Sequence, residues 1–101
     1  MNKYSCKLGL SSTNFCNSHG LTHAEALSTT KDIALLCCAC WESELFKRVV
    51  NCKNYTLNIK SESKERIVLW KNTNKLLNLA GFVGLKTGTT ISAGPCLASA
   101  Y

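Results

Sequence analysis

The sequence predicts an α+β fold in which mainly antiparallel strands pack against helices. Three observations carry this. Apolar residues recur at helical spacing after Ser28, as Ile33, Leu36, Cys37, Cys40 and Trp41. Tyr55, Leu57 and Ile59 alternate with polar residues, the period of a half-buried strand. Leu85 to Thr90 and Cys96 to Tyr101 are β-compatible runs joined by Ile91-Ser92-Ala93-Gly94-Pro95, whose residues suit a turn, so a hairpin is expected there.

In chain order, Met1 to Leu8 reads as the end of a helix, with Tyr4 and Leu8 four apart and Gly9 at the stop. No N-cap residue precedes it, so the chain is expected to begin within an element. Residues 10 to 27 are rich in Ser, Thr, Asn and His and read as a loop. Ser28-Thr29-Thr30-Lys31-Asp32 opens the next helix, and Thr29 with Asp32 fits a capping box. Ala34, Leu35 and Cys38 widen the apolar face of that helix, which is therefore expected to be largely buried. Glu42 to Val50 predicts a shorter amphipathic helix with Leu45, Phe46, Val49 and Val50 inward. After the strand over Lys53 to Ile59, the stretch Ser61 to Arg66 reads as a charged turn, and Ile67 to Trp70 leads on to Asn72-Thr73-Asn74-Lys75-Leu76-Leu77.

Composition narrows the function. The chain has 101 residues, enough for one domain, and 46% hydrophobic residues argue against disorder. No apolar run approaches the roughly 20 residues that span a bilayer, and the first residues lack the apolar core of a signal peptide. The net charge of +6 is spread over scattered lysines without interleaved aromatics, which argues for a solvated basic surface and against nucleic-acid binding. Of the seven cysteines, Cys37-Cys38-Ala39-Cys40 invites a metal reading. The cluster lacks paired CxxC spacing, and neither His19 nor His23 lies at finger-like distance, so small buried side chains in a helix are expected and no metal ligands are assigned. An odd number of thiols sits awkwardly with export from the cell.

The chemistry is concentrated in Gly84-Leu85-Lys86-Thr87-Gly88-Thr89-Thr90, the start of the string GLKTGTTISAGPCLASA. Lys-Thr-Gly on a strand presents a cation and a hydroxyl, and the bare Gly88 leaves room for another backbone to approach. A strand with an open edge can take up an extended peptide. A phosphate-binding loop at Gly81 to Thr87 is excluded, because Leu85 stands where such a loop needs glycine before Lys-Thr. Asn54-Tyr55-Thr56 fits a glycosylation sequon but lies within an expected strand and is assigned no function.

This string resembles the serine D-alanyl-D-alanine carboxypeptidases, the low-molecular-weight penicillin-binding proteins. So do Leu8-Gly9-Leu10 with Thr13, Phe15, Asn17 and His19-Gly20-Leu21, the Ser28 to Leu36 pattern, and Asn72-Thr73-Asn74 with Leu76-Leu77. A β-lactamase relative also has Lys-Thr-Gly, but the His-Gly-Leu and Asn-Thr-Asn strings favour the carboxypeptidases. One departure is Val83, where the family usually carries Asp, which puts the strand entry in question.

The resemblance implies part of a β-lactamase/transpeptidase-like catalytic domain. Its activity would be removal of the terminal D-Ala from peptidoglycan stem peptides through an acyl-enzyme, with no metal or organic cofactor, β-lactams as inhibitors, and an extracytoplasmic location for the whole protein. It implies that Lys86 favours the substrate carboxylate, that Thr87 assists, that Gly88 leaves space for substrate, and that the Thr89 N–H is an oxyanion donor. His19 is expected to be structural or supporting rather than the principal base.

The family's nucleophile is the serine of Ser-x-x-Lys. Ser28 with Lys31 and Ser61 with Lys64 fit that pattern, but the first belongs to a cap and the second to a charged turn. Ser12-Thr13-Asn14 likewise falls in a stretch that the family uses for another purpose. The expectation is therefore a fragment, lacking its nucleophile and the final elements that cover its sheet, and marginal or aggregation-prone on its own. The alternative is a non-catalytic module that binds peptide along the open strand.

Overall fold

The computed structural model describes residues 1–61 and 64–101. Three helices, α1 (Asn2–Lys7), α2 (Thr30–Trp41) and α3 (Glu44–Val50), precede strands β1 (Asn54–Ser61) and β2 (Lys64–Lys71). A 3-10 turn (Lys75–Asn78) then leads to β3 (Leu85–Thr90) and β4 (Gly94–Ser99). The strands form two separate antiparallel hairpins, β1–β2 and β3–β4. The radius of gyration is 16.2 Å, against about 13 Å for a compact chain of this length. The apolar side chains buried among the described residues are Leu10, Leu77 and Leu85.

Helix α1 ends as the sequence dictates. Gly9 takes φ +73, its N–H reaches the Cys6 carbonyl at 3.1 Å, and the Leu10 N–H reaches the Ser5 carbonyl at 2.9 Å. These are the two bonds of a Schellman motif, which glycine makes without steric cost. They turn the chain so that Leu10 enters the core.

The cap of α2 is half of the expected box. Thr29 Oγ1 accepts the Asp32 N–H at 3.2 Å. The Asp32 carboxylate reaches across the chain instead, accepting from Thr13 Oγ1 at 2.7 Å and from the Ser12 N–H at 2.8 Å. Asp32 is only 2% exposed, so this contact stitches the loop after α1 to the start of α2. The Thr13 hydroxyl, then the Ser12 N–H, with smaller help from Lys31 and Thr29, outweigh desolvation and hold the carboxyl below its ordinary pKa. A lowered carboxyl stabilises the fold fully above the ordinary aspartate range and loses that contribution as pH falls through its lowered value. Between about pH 6 and about pH 3, Asp32→Asn is therefore expected to lose less stability than the parent in urea melts.

Two sequence expectations about burial fail. Helix α2 is not largely buried: Ile33, Leu36, Cys37 and Cys40 are half-buried, and Ala34, Leu35 and Cys38 face solvent. No described element covers that side. In α3, capped by Ser43 Oγ on the Phe46 N–H at 3.3 Å, Phe46 and Val50 are half-buried as expected. Leu45 and Val49 instead are 69% and 62% exposed. They line a groove of about 860 Å³ together with Tyr55 and Trp70. Those two rings stack across β1–β2 with centroids 6.1 Å apart.

The charged turn is also corrected. Ser61 and Lys64 to Arg66 belong to the strands, with Lys60 opposite Glu65 and Ile59 opposite Arg66. Lys60 Nζ lies 3.4 Å from the Glu65 carboxylate, and Asn58 also donates to Glu65. Cross-strand pairs of opposite charge suit an exposed ladder. Glu62 and Ser63, the middle of the expected turn and of the Ser61–Lys64 pattern, lie outside the described residues. At the other hairpin, β4 begins at Gly94 rather than Cys96, with Pro95 opposite Thr89 near the strand start, where a missing N–H is tolerated. Tyr101 lies beyond the strand and packs edge-to-face on Phe82, with centroids 5.2 Å apart.

Candidate functional site

Lys86, Thr87, Gly88 and Thr89 all lie on β3, paired with β4 on one side only. Among the described residues no strand covers the other edge. Strand alternation puts Lys86 and Gly88 on one face and Thr87 and Thr89 on the other. Lys86 is exposed, its ammonium turned back onto the Thr87 carbonyl, and no described carboxylate pairs with it. A Cβ placed on Gly88 would meet nothing within 4 Å. This glycine is therefore not demanded by packing within the described chain, and the space over it is open.

A short polar segment holds β3 in place, and the sequence reading treated it as a marker without assigning it a role. Thr73 Oγ1 lies 2.6 Å from Thr87 Oγ1. Asn74, 4% exposed, donates to the Gly84 carbonyl at 2.8 Å and accepts the Leu76 N–H at 3.1 Å. Asn72 Oδ1 accepts the Asn74 N–H at 2.9 Å, and its amide donates to the Cys52 and Val50 carbonyls at 3.0 and 3.4 Å. The three residues thus join the end of α3, the entry to β1 and the start of β3. The signal was visible in the composition: two asparagines flanking a threonine offer donors and acceptors on a segment without regular structure.

The strand entry left in question by Val83 is built from backbone. The Val83 N–H donates to the Ala100 carbonyl at 3.0 Å. Gly84 takes φ +134, and a Cβ there would lie 2.9 Å from Val50 Cγ2. Close approach to α3 thus requires glycine at this position.

The loop over residues 10–27 docks at the far end of β3. Thr22 Oγ1 lies 3.2 Å from Thr90 Oγ1 and 2.8 Å from Ser92 Oγ. His19, three residues before, is exposed, and its Nδ1 accepts the Leu21 N–H at 3.1 Å. Among the described residues no hydrogen bond joins His19 to β3. Ser12 and Thr13 are bound to Asp32 and Asn14 forms a bridge with Leu27, so the nominal Ser-x-Asn serves the loop. Ser28 Oγ lies 2.8 Å from Thr13 Oγ1.

All seven cysteines are free. Burial, then Cys40 and Cys38 beside it, raise the Cys37 thiol above its ordinary pKa, so it is a neutral thiol at pH 7. Although the sequence assigned no metal ligands, the fold gathers Cys16, His23 and Glu25, with one ligand atom from each lying within 4.8 Å of the others. Cys37, Cys38 and Cys40 form no such group among the described residues. No described helix is long and apolar enough to cross a membrane.

The D-alanyl-D-alanine carboxypeptidase family, peptidase S11, matches residues 1–100. The chain belongs to this family. It is 33% identical over 100 residues to the D-alanyl-D-alanine carboxypeptidase of Streptomyces sp. strain K15, covering 96% of this chain and 34% of that relative. It is 36% identical over 95 residues to the D-alanyl-D-alanine carboxypeptidase DacC of Escherichia coli K12, covering 93% of this chain and 22% of the relative. The crystal structure of the Streptomyces K15 DD-transpeptidase superposes with a TM-score of 0.88 at 32% identity, over 97% of this chain and 38% of that one. The chain thus spans about a third of the Streptomyces relative's length and less of the other. Its mixed helices and antiparallel hairpins are the fold of a carboxypeptidase/transpeptidase segment.

Proposed function

We propose that this segment forms the Lys-Thr-Gly wall of a serine-type D-alanyl-D-alanine carboxypeptidase site. The observation that carries the proposal is β3, with an exposed Lys86, an open edge and open space over Gly88. An extended peptide ending in D-Ala-D-Ala would lie along that edge by strand addition. Side chains from both faces flank such a peptide, so Lys86 favours its carboxylate and the Thr87 hydroxyl, positioned by Thr73, assists. The Thr89 N–H serves as an oxyanion donor. A serine on a part of the protein outside these residues would attack the penultimate D-Ala carbonyl, expel D-Ala as the amine and form an ester that water then cleaves. The whole protein would act outside the cytoplasm on peptidoglycan stem peptides and would be acylated by β-lactams. A second reading, peptide binding without acylation, is favoured by the same open edge.

The test uses residues 1–101 in two forms. Alone, the chain is expected to show no mass increase after exposure to penicillin, and a covalent adduct on Ser28 or Ser61 would overturn this assignment of roles. Grafted in place of the matching segment of the Streptomyces K15 protein, it is expected to support acylation, and Lys86→Ala in the graft should slow acylation about 10²-fold or more. Unchanged acylation in that variant would refute the role of Lys86. Saturable binding of a D-Ala-D-Ala peptide by the isolated chain, with an inert graft, would favour the second reading.

A further inference from the structure

The loop that docks on β3 carries a second constellation outside the Lys-Thr-Gly strand. Asn14 and Leu27 form an antiparallel bridge, with the Asn14 N–H on the Leu27 carbonyl at 2.8 Å and the return bond at 3.3 Å. Cys16 follows Asn14 by two residues and Glu25 precedes Leu27 by two, so both lie in the loop just beyond this bridge. A turn closed by the Ala26 N–H on the His23 carbonyl at 3.1 Å brings His23 to the same place. A sulfur, an imidazole nitrogen and a carboxylate oxygen consequently lie within 4.8 Å of one another on the exposed surface.

The base of this loop is held independently of any ligand. Asn2 donates to Asn14 Oδ1 at 2.9 Å and to the Phe15 carbonyl at 3.0 Å, and accepts the Phe15 N–H at 2.8 Å. The Asn14 amide then donates to the Glu25 carbonyl at 2.9 Å and points at Cys16 Sγ from 3.5 Å. Hydrogen bonds of this kind orient the side chains that would act as first-sphere ligands.

From this arrangement we propose that Cys16, His23 and Glu25 form a three-ligand site for a thiophilic divalent cation of the zinc class, with water completing the coordination. Cys, His and carboxylate in tetrahedral array are ligands zinc accepts, and three protein ligands leave a fourth position open. A harder cation such as magnesium does not suit a sulfur donor. His23 Nδ1 accepts the Glu25 N–H at 3.2 Å, a bond the ring must release to take a cation. Glu25 is exposed, so water replaces the imidazole on that amide. The bound ion takes no part in acyl transfer. It clips the two strands of the loop whose Thr22 touches Thr90 and Ser92 at the end of β3, and it shields an exposed thiol from oxidation.

The experiment is a titration of reduced full chain with cobalt(II) alone, followed in the near ultraviolet, where cobalt bound to thiolate shows a charge-transfer band. One equivalent should saturate the band, and zinc added afterwards should abolish it. Cys16→Ser should remove the band, and His23→Ala should weaken apparent affinity by about 10-fold or more. Both positions are exposed, so far-UV circular dichroism of each variant should match the parent. The triple variant Cys37→Ser, Cys38→Ser, Cys40→Ser should bind as the parent does. The proposal is overturned if no band appears, if the band survives Cys16→Ser, or if it is lost only in the triple variant.

Discussion

Gly84→Ala is expected to destabilise the chain by about 2–5 kcal/mol, the sum of an unfavourable backbone conformation and an overpacked contact. At φ +134 an L side chain is strained whatever room it has, and here the new methyl would meet Val50 Cγ2 at 2.9 Å and Val50 Cβ at 3.2 Å. Relief requires either α3 or the start of β3 to move. Movement of β3 shifts Lys86, two residues on, so the fold and the proposed site fail together. The total stability of a domain this size is only about 5–15 kcal/mol, so urea unfolding should show a large drop in midpoint. Val50→Ala in the same chain should recover the packing part of the loss and leave the backbone part. A double variant no more stable than Gly84→Ala would show that the Val50 contact is not the obstacle.

Asn74→Ala is expected to cost about 2–4 kcal/mol, because it orphans two backbone groups in a buried place. The Gly84 carbonyl loses its amide donor and the Leu76 N–H loses its acceptor. The neighbouring Thr73→Val removes only the exposed contact to Thr87 and should cost about 1 kcal/mol or less. Paired urea melts of the two variants separate the roles: Asn74 positions the strand, and Thr73 adjusts one hydroxyl on it. Equal losses in the two would remove the distinction. In the Streptomyces graft, Thr73→Val should then alter penicillin acylation more than it alters stability.

The residues proposed to carry chemistry and the elements that hold those residues were legible in the sequence, because both are local. Lys86-Thr87-Gly88 is contiguous, the period of 3.6 after Thr29 names a helix, and Gly9 names a helix end. What local pattern misjudged was burial. The apolar residues of α2 and α3 were assigned inward by counting, but Leu35, Leu45 and Val49 stand in solvent, since a sequence cannot say which face finds a partner. Charge misled in the same way at Ser61 to Arg66. Charged residues on both sides of an exposed ladder resemble a turn until Lys60 is seen opposite Glu65.

By itself the sequence determined the family, the α+β class and the four residues of β3 on which the proposed chemistry rests. Only the tertiary structure decided how that strand is held, and it did so with groups distant along the chain. Asn74 reaches Gly84 and Thr22 reaches Thr90 and Ser92, while Asp32 ties the loop after α1 to α2 through Ser12 and Thr13. It also decided that Cys16, His23 and Glu25 converge, through the bridge between Asn14 and Leu27 and the turn from His23 to Ala26. The physical reason is common to the three side-chain contacts. A polar side chain commits to whichever donor or acceptor the fold brings within about 3 Å, and that choice is fixed by chain reversal rather than by spacing.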